Sequence, residues 1–268
     1  VNFDSARFGE YIRTANRYIT SLKERVAAAG APPLTVPSVP WFHGIPHPFA
    51  WDMQPEAAND LELLVDLGHQ IGIQARRALT NNDTLLGLHE LITYGVKGAA
   101  AYHHHAAVMG NKDQELNDKL QQYLVFISSP EAADTGAVLG KALELGATNL
   151  AVMANLEEAH TSNFGHPTPT QVIMTPKPGK CLLVSGHDLS DLKAVLDQTE
   201  GTGIDVYTHG EMLPAHGYPG LKKYAHLKGH YGGAWYRQKI DFFNWPGSIL
   251  ITTNCVLDPP EDSYADNL

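Results

Sequence analysis

The chain has 268 residues, of which 43% are hydrophobic and 18% charged, and its formal net charge is -10 at pH 7. That length and apolar content suffice for one or two buried cores, while the acidic balance and the lack of any basic run argue against a phosphate-tracking surface and hence against nucleic-acid binding. There is no unbroken apolar run of about eighteen residues and no charged-then-apolar leader, so neither a membrane span nor a secretory signal is predicted and a cytoplasmic location is expected.

From residue 4 to about 29 the apolar positions Phe8, Ile12, Ala15, Ile19, Leu22 and Val26 recur at three- and four-residue steps, the period of an amphipathic helix. Asp4 or Ser5 can cap its start and Gly30 its end. Pro32, Pro33, Pro37, Pro40, Pro46 and Pro48 then forbid regular structure to about Trp51. Trp41, Phe42 and Phe49 are expected to pin this connection to the helices. Further helices are predicted over 55–67 running on toward 79, over 84–109, 113–126 and 135–159, with short loops that favour antiparallel neighbours.

In the segment GVKGAAAYHHHAA, small residues at Gly95, Gly98, Ala99 and Ala101 predict deep packing. Its His103, His104 and His105 are consecutive and point about 100° apart on a helix, so they cannot grip one ion together. Glu157 and His160 have the Glu-x-x-His spacing of carboxylate-bridged di-iron bundles. Such a site needs a second pair and further Glu residues, and no second pair occurs in the chain.

The run TSNFGHPTPTQVIMTPKPGK, residues 161–180, is rich in Pro, Gly, Ser and Thr and marks the change from a helical to a strand period. A domain boundary is placed there. The expected architecture is α/β and multidomain: an α-helical bundle over 1–165, then a Rossmann-like parallel α/β domain over 166–268 whose sheet is incomplete. Its three predicted strands are LLVS (182–185), DVYT (205–208) and ILIT (249–252), separated as in βαβ units. Asp188 should cap a helix running from about Leu189 to Gly201. The GTG at 201–203 follows a helix and precedes a strand, the reverse of a dinucleotide fingerprint.

Parallel strands end on one edge, and ligands of open α/β sheets collect in the crevice outside it. His187, Glu211 and Cys255, in the phrases VSGHDL, YTHGEML and TTNCV, each fall just past one strand. Singly, such residues are commonly a loop anchor, a helix cap and inert packing. Their equivalent placement favours a shared metal site, and a mixed nitrogen, oxygen and sulfur set suits zinc or iron over calcium or magnesium. Asp188, Thr208, His209, His216 and Asn254 are candidates for orienting these groups, and Trp235 for walling the cavity. Cys181, before the first strand, and Cys255, after the third, should lie roughly 13–17 Å apart. A disulfide spans at most about 7 Å between Cα atoms, so two free thiols and a reducing compartment are expected.

The stretch VSGHDLSDLKAVLDQTEGTGIDVYTHGEMLPAHGYPGLKKYAHLKGHYGGAWYRQKIDFF, running on to PGSILITTNCV, resembles the hybrid-cluster proteins, also called prismane proteins or hydroxylamine reductases. FGHPTPTQV, YGVKGAAAYHHHA and VNFDSARF extend the resemblance over nearly the whole chain. It implies an iron–sulfur–oxygen hybrid cluster held by one His, two Glu and four Cys, with His187, Glu211 and Cys255 matching the His, the first Glu and the first cluster Cys. Family members also carry an amino-terminal cysteine motif for a second iron–sulfur cluster. With Cys181 and Cys255 as its only cysteines, this chain lacks that motif and the other ligands, and it reads as an internal piece of a longer protein. The implied activity is an oxidoreductase reducing small nitrogen species, hydroxylamine to ammonia or nitric oxide, with electrons from a donor redox protein. The alternative is a cluster-free fragment or paralogue acting as a structural or partner-binding module.

Overall fold

The computed structural model describes residues 4–31, 60–253, 255–260 and 263–268. The proline-rich connection with its aromatic anchors, the predicted helix start at Pro55, and Asn254 lie outside the described residues. Two compact units are present, one drawn from Val1–Ala101 and Gln114–Ala151, the other from Tyr102–Asp113 and Val152–Leu268.

In the first unit, α1 spans Ser5–Ala28. The Asp4 carboxylate accepts from the amides of Ala6 and Arg7, and the amides of Gly30 and Ala31 close the far end on the carbonyls of Ala27 and Val26. The helix predicted to run on to residue 79 is instead two, α2 (Leu61–Ile71) and α3 (Ile73–Leu79), because Gly72, with ψ 163°, leaves helical conformation. Next come α4 (Asp83–Val108), α5 (Gln114–Ile127) and α6 (Thr135–Phe164), the last continuing past its expected end.

Leu116, Leu120, Tyr123, Phe126 and Ile127 of α5 are buried, as are Ile92, Val96 and Ala99 of α4 and Val138 and Leu145 of α6. Each such aliphatic or aromatic side chain contributes roughly 1.5–3 kcal/mol by leaving water. The Tyr123 hydroxyl and Thr148 Oγ1 are 2.7 Å apart inside this core. The expectation that the whole GVKGAAAYHHHAA segment is deeply packed is corrected. A Cβ on Gly95 would meet Leu145 Cδ2 at 2.7 Å, but Gly98 faces open space, and Tyr94, Tyr102 and His104 are exposed. A long amphipathic helix packs one face only. Among the described residues one helix, α6, is long and apolar enough by composition to cross a membrane, with mean hydropathy 1.2 over its most apolar window. Val138, Leu145, Val152 and Ala159 recur every seventh residue along it and are all buried, the pattern of a core-packing stripe.

The second unit is built on a four-stranded parallel sheet, β1 (Lys180–Ser185), β2 (Ile204–Thr208), β3 (Leu227–His230) and β4 (Ser248–Ile251), in the order β3-β2-β1-β4. Strand alternation sends Val184 and Val206 to one face, against Leu189, Leu192 and Leu196 of α7 (Leu189–Thr199), Phe164 and Met212. Leu183, Tyr207 and Ile249 point to the other face, against Phe242, Trp245 and Tyr264. Asp188 caps α7 by accepting from the Ser190 and Asp191 amides.

The fourth strand, β3, corrects the three-strand expectation. Its sequence LKGH has little β-propensity, and it stands at the edge of the sheet. There the Ile173 carbonyl accepts from the His230 amide at 2.8 Å. A Cβ on Gly229 would come within 2.1 Å of that carbonyl oxygen, so only glycine admits the covering segment. Cys181 lies inside β1 instead of ahead of it, and both cysteines are free.

Candidate metal centre

The chain winds outward from β1 to β2 and β3, then returns to place β4 on the other side of β1. The reversal point lies between β1 and β4, the place past the strand ends where ligands of open α/β sheets collect. His187 follows β1, Glu211 follows β2 in a 3-10 turn (Gly210–Gly217), and Cys255 follows β4. Gly186 makes the first of these loops possible. Its φ is +112°, and a Cβ there would lie 2.3 Å from Thr252 Oγ1 and 2.7 Å from the Thr253 amide nitrogen.

The three side chains meet. His187 Nε2 is 2.7 Å from Glu211 Oε2 and 3.6 Å from Cys255 Sγ, and Sγ is 4.0 Å from Glu211 Oε1. All three donor atoms lie within 4.8 Å of one another, and they are the one such group among the described residues. Donors bound about 2.0–2.3 Å from a single ion at near-tetrahedral angles stand roughly 3.3–3.8 Å apart. The sulfur already has that spacing from the imidazole, and an ion entering between His187 and Glu211 would part them by a few tenths of an ångström. The residues present therefore fit one side of a metal site with mixed donors. They are too few to enclose a multi-iron cluster.

Burial, and secondarily the Glu211 carboxylate, push the Cys255 thiol pKa up. Without a cation the sulfur stays protonated at neutral pH; a bound metal displaces that proton. Cys255 is also the one non-glycine residue with positive φ, +48°, among the described residues.

Thr252 and Thr253 hold His187, a role the sequence reading missed. The His187 amide donates to both hydroxyl oxygens at 3.2 Å, and its Nδ1 lies 3.2 Å from Thr253 Oγ1. A hydroxyl can donate to Nδ1 or accept from it, so it suits the ring with or without a metal on Nε2. Thr253→Val should weaken Co(II) binding at this site roughly 10- to 100-fold. Isothermal titration of the two proteins checks this, and equal affinities would show that the ring is oriented by something else.

Of the residues expected to support the site, Asp188 is 3.3 Å from His105 Nδ1, and this bond raises the His105 pKa and lowers that of Asp188. It therefore anchors the α7 cap beside His187. Thr208, His209 and His216 do not reach the three donors. Thr208 Oγ1 bridges His216 Nε2 at 2.8 Å and His230 Nδ1 at 2.9 Å, while His209 joins Ser185 Oγ at 3.1 Å to Asp241 Oδ2 at 3.3 Å. These are buried packing networks at the strand ends. Trp235 is 49% exposed, with its ring edge-on to that of Tyr236.

The buried imidazoles set a pH dependence. Desolvation, reinforced by the neighbouring His209 and His216, lowers the His230 pKa to about 4, and burial also lowers those of His209 and His216. Between about 4 and the ordinary value near 6.5 the unfolded chain binds protons that the folded chain does not. Stability contributed by His230 is full above about 6.5 and is lost as pH falls toward 4, at up to about 1.4 kcal/mol per pH unit. Urea unfolding from pH 7 to 4.5 should show this slope, and His230→Gln should flatten it. Identical slopes in the two proteins would rule out His230 as a contributor.

The whole chain, residues 1–268, matches the model of the Prismane/CO dehydrogenase family. It is 49% identical over 205 residues to a hydroxylamine reductase of Zymomonas mobilis, covering 76% of this chain and 37% of that protein. It is 44% identical over 263 residues to one from Burkholderia ambifaria (97% and 45%) and 41% identical over 274 aligned residues to one from Escherichia coli (100% and 46%). The chain thus spans less than half the length of these relatives.

Proposed function

Because the chain belongs to the Prismane/CO dehydrogenase family, we propose that it contributes ligands to an iron–sulfur–oxygen hybrid cluster in an oxidoreductase that reduces hydroxylamine to ammonia. The observation that carries this reading is the convergence of the His187 imidazole, the Glu211 carboxylate and the Cys255 thiol at the strand-order reversal. Bound there, such a cluster would supply electrons and an open iron position to a small nitrogen substrate. In this reading nitric oxide is a second substrate, a redox protein is the electron donor, and the cytoplasm is the site of action.

The chain's own residues bind and orient. His187 offers Nε2 while Thr253 holds the ring from Nδ1. Glu211 offers a hard oxygen from an exposed turn. Cys255 offers a soft sulfur that selects iron or zinc over magnesium and calcium. Residues 166–268 would form the ligand-bearing domain and 1–165 a helical bundle domain, and the parent protein would supply the remaining ligands and the second iron–sulfur cluster.

Iron and acid-labile sulfide analysis with visible absorption, on the anaerobically purified full-length parent protein that contains this segment, tests this. Several irons per chain, sulfide-to-iron bands and hydroxylamine-dependent oxidation of a reduced dye are expected. A folded, colourless and iron-free protein would overturn the reading and leave a cluster-free module.

A further inference from the structure

Gln238 is a polar side chain with 0% exposure, at the start of the short helix α8 (Gln238–Asp241). It touches none of the three donors. Its Nε2 donates to the Cys255 carbonyl, and its Oε1 accepts from the Leu257 amide at 3.0 Å. One planar amide thereby pairs a C=O and an N–H two residues apart, much as a neighbouring strand would.

The clamped residue is the one whose backbone is least comfortable. At φ +48° the Cβ of Cys255 crowds its own backbone, a conformation a non-glycine residue keeps only when its surroundings impose it. The segment 255–260 has no helix or strand of its own to do so. Gln238 can, because its backbone carbonyl accepts from the Phe242 amide at 2.8 Å, and Phe242 is fully buried against Leu183, Tyr207 and Trp245. Rotating Cys255 back to an ordinary φ would swing its Cβ, and the sulfur with it, away from His187 and Glu211.

We propose that Gln238 is the positioning residue for the Cys255 sulfur: its amide imposes the left-handed backbone that aims Sγ at the imidazole and the carboxylate. The proposal rests on Cys255 being a metal ligand. Gln238 forms no bond to the metal. It lowers the cost of bringing the third donor into place.

The test uses the purified 268-residue protein with Cys181→Ala, which leaves Cys255 as the sole thiol. Co(II) alone is titrated anaerobically, and the sulfur-to-cobalt charge-transfer band reports thiolate coordination. Gln238→Met keeps the side-chain volume but loses both hydrogen bonds. It is expected to weaken Co(II) binding about 10- to 100-fold and to abolish most of the sulfur band. Gln238→Glu keeps the acceptor for Leu257 but loses the donor to Cys255, and should fall between. Leu196→Ala is the structural control: Leu196 is fully buried on the opposite face of the sheet, away from the clamp, so it should lower the thermal midpoint while leaving band and affinity unchanged.

Wild-type affinity and a full sulfur band in Gln238→Met would overturn the proposal. So would a Leu196→Ala protein that loses the band to the same degree at equal loss of thermal stability, since the effect would then be general loosening. If Gln238→Met fails to fold, Gln238→Glu decides by the same readout. No sulfur band in the parent with Gln238 intact would instead defeat the assignment of Cys255 as a ligand, a separate and recognisable result.

Discussion

Cys255→Ser is expected to abolish uptake of iron by the three-donor site. The serine hydroxyl is a hard, weakly acidic donor where the site offers its one soft sulfur, and three donors leave no redundancy. A loss of at least about 100-fold in metal affinity follows, larger than removal of an orienting group brings. Iron per chain after anaerobic incubation with Fe(II) measures it. Cys181→Ala serves as the comparison. Cys181 lies in β1, packed beside Gly247 at the opposite end of the strand from His187, so its removal should leave the iron content unchanged. Wild-type iron in Cys255→Ser would remove the sulfur from the ligand set.

Gly186→Ala should produce the largest stability loss of any single methyl added at the site. Two of the atoms its Cβ would strike, the amide nitrogen and carbonyl oxygen of Thr253 at 2.7 and 2.8 Å, are backbone atoms that cannot rotate aside. The φ of +112° is itself foreign to alanine. Strain and overlap together are expected to cost about 3–5 kcal/mol, visible as a lower urea midpoint. Relief of the overlap requires the ends of β1 and β4 to part, so Co(II) affinity should fall with stability. A variant as stable as the parent would mean that this loop is far more pliable than its contacts indicate.

Several features were legible in the sequence because they depend on local pattern. The apolar spacing of α1 and the carboxylates of Asp4 and Asp188 at helix starts needed no knowledge of the rest of the chain. The strands β1, β2 and β4 were legible for the same reason, as runs of Leu, Val, Ile and Tyr between turn residues. Placing His187, Glu211 and Cys255 one step past those strands then required only that the strands be parallel. What stayed hidden depends on partners distant in sequence. β3 is held by β2 and the Ile173 carbonyl, with Lys228, Gly229 and His230 lending little propensity of their own. Thr252 and Thr253 acquire their role from the pairing of Ser185 with Ile251, which brings both hydroxyls beside His187.

Gln238 has no sequence signal at all, since a glutamine between Arg237 and Lys239 looks like an exposed helical position. Thr208 and His209 show the converse. Both stand at the end of β2 near Glu211, but hydrogen bonds to His230, His216, Ser185 and Asp241 draw their side chains into the interior.

The 68-residue separation between His187 and Cys255 dictates an order of assembly during synthesis. Once the turn bearing Glu211 has left the ribosome behind β2, it can associate with β1 and α7, so a nascent chain exposes an imidazole and a carboxylate first. That early pair offers no soft donor and discriminates poorly among the divalent ions of the cell. Under the proposed function, discrimination would begin only when β4 docks against β1 and delivers the thiol, which would make metal choice a late event in the maturation of this polypeptide, and an ion captured earlier would have to be exchanged.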